Sequence, residues 1–164
     1  MSGYSGFPTS INGMNALKSV LNEREKDGIK DLVGEEPSNE VLPSKRYEVG
    51  AKELSELDNN QVKILEGAYN DFAPDLVKFV VNSYADIIGR NNLNKRYRQI
   101  ATIAALTALG NARPQLKFHI NGGLNVGLTQ EEVKEIMLLM TVYSGFPSAI
   151  NGINVLKEIL NERK

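Results

Sequence analysis

The chain has 164 residues, of which 41% are hydrophobic and 24% charged, and its formal net charge is -1. This length predicts one domain with a sizeable core. The near-neutral charge does not provide the positive electrostatic potential that attracts nucleic acid or an anionic membrane. The sequence contains no cysteine, which excludes disulfides, thiolate nucleophiles and cysteine-ligated metals. Its one histidine, His119, also excludes a metal site with two histidine ligands from one chain, whereas carboxylate-only sites stay open.

The first 18 residues lack the basic start and the unbroken apolar run of an export signal, so we expect a cytoplasmic protein. Residues 136–156 carry no charge and are long enough to span a membrane. However, Pro147 would break that helix, and Asn151 and Asn154 would be unfavourable in lipid. We therefore predict two buried helices with a turn between them, and no membrane partner.

The two ends of the chain repeat one motif. Residues 4–24 and 143–163 are identical at 15 of 21 positions. In each copy a Gly-Phe-Pro turn precedes apolar residues at spacings of three and four, which is typical of an amphipathic helix. Because the motif recurs only once, it is better explained as the remnant of a tandem duplication than as a solenoid, which has many successive repeats. We expect the N-terminal copy to dock in an apolar groove, either on this domain or on a neighbouring subunit.

Three segments follow from these patterns. Residues 1–27 form the N-terminal repeat helix, and residues 28–47 form a linker that is polar and contains glycine and proline. Residues 48–164 form a helical domain, because every segment has helical character and none shows strand alternation with hairpin turns. The predicted fold class is all-α, a multi-helical bundle.

Helix start and stop residues divide the domain further. In chain order these pairs are Pro74 and Gly89, Asn94 and Gly110, and Pro114 and Gly127, followed by a capping box of Thr129 and Glu132 that opens a helix over residues 130–142. The apolar run over residues 100–109 predicts a central buried helix.

His119 is the first candidate for a catalytic group, because its ordinary pKa lies near neutrality. Gly122 and Gly123 are its neighbours on the predicted helix and would leave open space for a ligand beside the imidazole. The alternative is a structural histidine whose adjacent glycines serve tight helix packing. A histidine that faces a pocket would favour an enzyme; one enclosed by apolar side chains, with both ring nitrogens bonded to backbone, would exclude catalysis.

Four other residues are candidates for substrate binding. Lys95 and Arg98 belong, with Arg96, to a cationic cluster just before the apolar run over residues 100–109. Such a cluster could bind a carboxylate, although these residues are more often solvated or paired with acids. Glu135 belongs to an acidic group near a helix start, where the helix dipole favours negative charge. Tyr143 lies in the break between the last two helices, which could line a pocket or be a simple turn.

Four blocks of the sequence, residues 93–104, 115–120, 124–136 and 143–147, resemble the carboxymuconolactone decarboxylase family in order and spacing. The resemblance covers about residues 67–160. It implies an all-α homo-oligomer, a hexamer or trimer, that needs no cofactor. It also implies a small carboxylate or lactone substrate, since the family reaction removes carbon dioxide from 4-carboxymuconolactone in the degradation of aromatic compounds.

The broader relatives of that family include thiol peroxidases of the alkyl hydroperoxide reductase partner type, and the chain departs from these. Their two cysteines would fall at Ala112 and Gln115, and their assisting acid would fall near Gln99. Without sulfur at either position, thiol peroxidase activity is excluded.

The resemblance implies that His119 is the general acid or the contact to an oxyanion, and that Arg98 binds a substrate carboxylate. Lys95, Tyr143 and Glu135 are second-rank candidates. Two other functions stay open: a noncatalytic oligomeric scaffold with this fold, and a lyase or isomerase that acts on a different small carboxylate.

Overall fold

The structure is a computed structural model, which describes residues 2–37 and 39–164 of the chain. That part of the chain contains eight α-helices and no strand, so the predicted all-α class is confirmed. The helices are α1 (Ser2–Lys26), α2 (Arg46–Leu57), α3 (Gln61–Tyr69), α4 (Pro74–Ser83), α5 (Lys95–Leu109), α6 (Arg113–Asn125), α7 (Gln130–Ser144) and α8 (Phe146–Glu162). A 3-10 turn, Pro43–Lys45, precedes α2, and a π-helical segment, Tyr84–Ile88, continues α4. Among the helices described, none has both the length and the apolar character needed to cross a bilayer.

The chain divides into two compact units, Met1–Glu36 and Pro37–Lys164. Apart from α1, the described residues of the first unit form a short turn and a non-helical stretch. The second unit contains the other seven helices. Within it α5 packs against α6, α7 and α8, whereas α2 packs against α3, α4 and the π-helical segment. Because α6 contacts α2, α5 and α8, it joins these two groups of helices.

The predicted helix ends of the second unit are largely present. Asn94 caps α5, with its side chain accepting a hydrogen bond from the backbone N–H of Arg96, and Gly110 ends the helix in the left-handed conformation (φ 70°). At the start of α7, Thr129 and Glu132 make both reciprocal bonds of the predicted capping box. These ends are specified locally, which explains why sequence alone predicts them.

The sequence spacing predicts that Leu76, Val80, Tyr84 and Ile87 form the apolar face of the helix that Pro74 opens, and the structure buries a different stripe of α4 and the π-helical segment. Val77, Val81 and Tyr84 are buried, whereas Leu76 and Ile87, on a neighbouring stripe, are exposed. The apolar band of this helix is wider than the surface that α2 covers, so hydrophobicity alone cannot select the buried residues.

Helices α2 and α4 approach each other closely at Gly50. A Cβ atom added to Gly50 would lie 1.9 Å from the backbone oxygen of Val81. Because the clashing oxygen belongs to the backbone, it cannot move away through a change of side-chain rotamer. The contact therefore requires glycine at this position.

We predict that Gly50→Ala lowers the free energy of unfolding by about 2 kcal/mol or more, because the added methyl group forces α2 and α4 apart. Gly67→Ala is the matched control, since a Cβ atom at Gly67 in α3 meets nothing within 4 Å. The control variant should gain up to about 1 kcal/mol from higher helix propensity. Urea unfolding of both variants measures this, and equal stabilities would contradict the close contact.

The two repeat copies have the same local structure. In α1 the helix is interrupted by a kink at Gly6 (φ 79°) and continues with Pro8, and α8 likewise begins after Gly145 (φ 87°) with Pro147 in its first turn. Their apolar faces differ in exposure, because Leu156 of α8 is 2% exposed whereas its counterpart Leu17 in α1 is 51% exposed. Only the C-terminal copy therefore contributes this leucine to a core.

We predict that Leu156→Ala lowers the free energy of unfolding by about 2–5 kcal/mol, because it leaves a cavity in the core. Leu17→Ala removes the same atoms from the same motif and should change it by less than about 0.5 kcal/mol. Chemical denaturation of the two variants provides the comparison. A similar loss in both would instead indicate that another surface buries the N-terminal helix, as the repeat predicts.

Candidate active site

A buried polar cluster surrounds the only histidine. His119 lies in α6 and is 1% exposed. Its Nδ1 is 2.8 Å from Oε1 of Gln99, in α5, and its Nε2 is 3.4 Å from the hydroxyl oxygen of Tyr84, where the π-helical segment begins. Three elements therefore bring one polar group each to the same place in the core. We refer to Gln99, His119 and Tyr84 as the buried triad.

Each member of the triad is positioned by the helix that carries it. Gln99 is one turn after Lys95 and one turn before Ile103, on the buried stripe of α5. Tyr84 continues the stripe of Val77 and Val81, so its ring is in the core and its hydroxyl needs a polar partner. Segments of π-helix are frequent at functional sites, and this one begins at Tyr84.

The hydrogen bonds and the burial determine the state of the imidazole. Because a carbonyl oxygen only accepts, the bond to Gln99 Oε1 places the proton of the neutral ring on Nδ1 and leaves Nε2 to accept from the Tyr84 hydroxyl. Burial lowers the pKa of His119 to about 3, from an ordinary value of 6.5. The ring is therefore neutral at physiological pH, which favours hydrogen bonding over the role of a protonated acid.

The glycines beside His119 pack against other helices and leave no open space. A Cβ atom at Gly122 would lie 2.9 Å from the Cβ of Leu57, and one at Gly123 would lie 2.9 Å from Cδ1 of Leu128. The expectation of open space at these glycines is therefore wrong. The space is filled because the glycines let the side chains of Leu57 and Leu128 come close to α6.

Lys95 is already paired with two acids. Its Nζ is 2.7 Å from Glu53 and 2.5 Å from Glu56, both in α2. These residues border an open groove of about 700 Å³ between the start of α5 and the end of α6. The lining residues are Glu53, Glu56, Gly89, Arg90, Asn91, Leu93, Asn94, Lys95, Asn125 and Val126. His119 is not among them.

Arg98 holds the loop that precedes α5. Its guanidinium donates to the backbone oxygens of Leu93 and Arg90 and to the side-chain oxygen of Asn92. All three acceptors are neutral. Burial, together with the like charge of Arg90, lowers the pKa of Arg98, which stays protonated. Arg98 therefore brings a positive charge to the loop that borders the groove, with no carboxylate hydrogen-bonded to it in the described part of the chain.

The other two candidates lie on α7. Tyr143, in its last turn, is 76% exposed, and Glu135 is exposed as well. Among described residues, no hydrogen bond connects either of them, or Lys95 or Arg98, to His119. Within this chain the five predicted site residues therefore do not form one cluster.

Two members of the triad were not predicted as site residues. The family resemblance marks Gln99 only as the position of an absent acid, and the helical spacing marks Tyr84 only as one residue of an apolar face. A signal was present in both cases. Gln99 immediately precedes an apolar run in a helix predicted to be buried, and Tyr84 is the one residue of its stripe with a hydroxyl group.

Comparison with known proteins identifies relatives. Residues 74–158, which include the triad, match the carboxymuconolactone decarboxylase family. A 4-carboxymuconolactone decarboxylase of Acinetobacter baylyi is 30% identical over 94 residues, which cover 57% of this chain and 69% of that protein. A nitrosuccinic acid decarboxylase of Metarhizium robertsii is 30% identical over 73 residues, 44% of this chain and 50% of that protein. An uncharacterized 15.0 kDa protein of Paracoccus denitrificans is 26% identical over 80 residues, 48% and 60% of the two chains.

We predict that the imidazole NMR signal of the folded, untagged protein keeps its neutral shift from pH 8 to pH 5, because burial keeps the pKa near 3. In the unfolded chain the pKa of this histidine is near 6.5. Above that pH the buried neutral ring does not lower the free energy of unfolding, and below it the free energy of unfolding falls by about 1.4 kcal/mol per pH unit. With a single histidine the NMR signal is unambiguous.

Because only the wild type carries this titrating group, its free energy of unfolding should fall more between pH 6.5 and pH 5 than that of His119→Gln. A folded-state midpoint near 6.5 would contradict the burial.

Proposed function

The chain belongs to the carboxymuconolactone decarboxylase family, and from this premise we propose that it is a cofactor-free decarboxylase acting on a small carboxylic acid similar to 4-carboxymuconolactone. The observation that carries the proposal is the neutral, buried imidazole of His119 within the matched region. Two relatives named as decarboxylases, for a carboxylated lactone and for nitrosuccinic acid, support the class of reaction.

The proposed reaction breaks the bond between a carbon atom and its carboxylate. Carbon dioxide leaves, and the electron pair stays on the carbon, from which it spreads through the unsaturated lactone to the carbonyl oxygen. A proton is then added to carbon. Catalysis requires a hydrogen-bonding group at the oxygen where charge develops and a route for that proton.

The buried triad is suited to both tasks. A water-excluded site strengthens hydrogen bonds to a developing anion. The one N–H of the neutral imidazole is already donated to Gln99, so in this proposal His119 acts by orienting its two partners, Gln99 and Tyr84, without forming an ion pair with the anion. The Tyr84 hydroxyl, whose oxygen lies 3.4 Å from Nε2 of His119, supplies the proton that is added to carbon, and a proton from solvent then restores the hydroxyl. In this proposal His119 is the central catalytic group, because its Nε2 contacts and orients the hydroxyl that delivers the proton.

The substrate carboxylate is proposed to bind at the loop that Arg98 holds. Arg90 lines the groove there, and Arg98 has no hydrogen-bonded carboxylate among the described residues. Two guanidinium groups together favour an anionic ligand. Lys95 is less suited to this role because Glu53 and Glu56 already neutralise it.

We also propose a homo-oligomer, a hexamer or trimer, as the working form. The turn between α7 and α8 carries large apolar side chains that are exposed in the single chain, among them Val142 and Phe146. Tyr143 lies between them, and Glu135 lies two turns earlier on α7. Assembly through this surface would bury Tyr143. In this proposal Tyr143 and Glu135 remain second-rank candidates for substrate binding.

A noncatalytic scaffold is the second candidate, and one observation favours it. His119 is buried, and the groove beside Lys95 does not include it. However, the histidine does not meet the condition that would exclude catalysis, because its hydrogen bonds go to the side chains of Gln99 and Tyr84. Side-chain partners are what a proton route requires, and the decarboxylase is therefore the preferred function.

We predict saturable release of carbon dioxide from 4-carboxymuconolactone by the purified protein, with kcat reduced at least about 100-fold in His119→Gln, because the variant lacks the imidazole. Lys134→Gln is the control, since Lys134 is exposed on α7, where it pairs with Glu131. It should retain wild-type kcat. Release no faster than the uncatalysed background in the wild type would contradict this substrate, and equal activity in His119→Gln would contradict the role of the histidine.

A further inference from the structure

One polar atom of the triad has no partner among the described residues. Gln99 is 0% exposed, and its Oε1 accepts from His119, but its amide nitrogen, Nε2, makes no hydrogen bond. A buried donor without an acceptor is destabilising and therefore rare in folded proteins. Where one occurs next to candidate catalytic groups, a bound ligand is a natural source of the missing acceptor.

The environment of Gln99 shows how such a ligand could reach it. Lys95 precedes it by one helical turn, about 6 Å along α5, and lines the groove described above. On α6, Asn125 lies about 9 Å along the helix from His119 and lines the same groove. The groove and the triad therefore share two helices. The triad itself is closed, so a ligand enters only when a neighbouring side chain moves.

We propose that Gln99 is a catalytic residue with two simultaneous tasks: its Oε1 fixes the Nδ1–H tautomer of His119, and its Nε2 donates a hydrogen bond to an oxygen atom of the bound substrate. This inference rests on the proposed decarboxylase function. The oxygen is the one that becomes negative as carbon dioxide leaves, a lactone carbonyl or a group of the same kind. The donor is part of a fully buried side chain that the bond to His119 already holds, so once the substrate is bound the amide does not have to reorient as the charge develops.

An amide suits this position better than an acid of the same size. A glutamate would still accept from Nδ1–H of His119, but it has no N–H to donate, and its negative charge would repel an anionic substrate. It would also favour protonation of the imidazole. Glutamine keeps the ring neutral and adds a donor, so the substitution Gln99→Glu separates the two tasks.

The test uses the full chain, labelled with nitrogen-15, and muconolactone as the probe. Muconolactone has the lactone ring of 4-carboxymuconolactone without the carboxyl group that leaves. The side-chain amide signal of Gln99, assigned through its bonds, is followed as muconolactone is added. The same spectra report the tautomer of the single histidine. Kd for muconolactone and kcat with 4-carboxymuconolactone are then measured for wild type, Gln99→Glu and Gln130→Glu, the last being the same change at an exposed site on α7.

We expect muconolactone to shift the Gln99 amide signal and His119 to be the Nδ1–H tautomer. Gln99→Glu should raise Kd by about 10- to 100-fold and lower kcat at least tenfold, whereas Gln130→Glu should change neither. An unmoved amide signal, an Nε2–H tautomer, or values within twofold of wild type in Gln99→Glu would overturn the inference. If Gln99→Glu does not fold, the two wild-type NMR observations decide.

The outcomes also separate this inference from the proposed function. If muconolactone shifts the Gln99 signal but no carbon dioxide is released, the decarboxylase proposal fails for this substrate and the role of Gln99 as a donor stands. If carbon dioxide is released equally by wild type and Gln99→Glu, the decarboxylase proposal stands and the inference about Gln99 is wrong.

Discussion

The hydrogen bond between Nδ1 of His119 and Oε1 of Gln99 is the interaction on which the site depends. It joins α5 to α6 through the core and determines which ring nitrogen carries the proton. It also explains how a histidine can be almost fully buried, since its polar atoms have partners there. Without this bond the imidazole would have to turn toward solvent or remain buried with an unpaired N–H group, and the orientation needed at Tyr84 would be lost.

The helices and their ends are predictable from sequence because their causes are local. The cap at Asn94, the left-handed Gly110 and the capping box at Thr129 each involve residues within one turn of the helix end. Selection of the buried face is different, because it depends on which helix lies opposite. For the same reason Leu17 and Leu156, in nearly identical motifs, differ in exposure, and no property of the motif itself could separate them.

The site was predictable only in part. Composition identifies His119 as the one titrating group near neutrality, but its burial and its partners are set by contacts across 20 and 35 residues of sequence. Similarly, the sequence does not indicate whether Lys95 or Arg98 is neutralised by nearby acidic side chains. The acids that pair with Lys95 belong to α2, about 40 residues away, and the three acceptors of Arg98 are neutral atoms of the adjacent loop.

The bonding of Arg98 has a wider consequence for how the protein meets anions. Neutral acceptors satisfy the geometry of a guanidinium without cancelling its charge, so one side chain can brace a loop and still act at a distance. The chain as a whole carries a formal charge of -1, which would weakly repel an anion far from the surface. In the proposed function, Arg90 and Arg98 reverse this effect close to the loop before α5. The attraction is therefore confined to about one Debye length, roughly 8 Å at physiological ionic strength, and it orients an approaching carboxylate more than it accelerates the encounter.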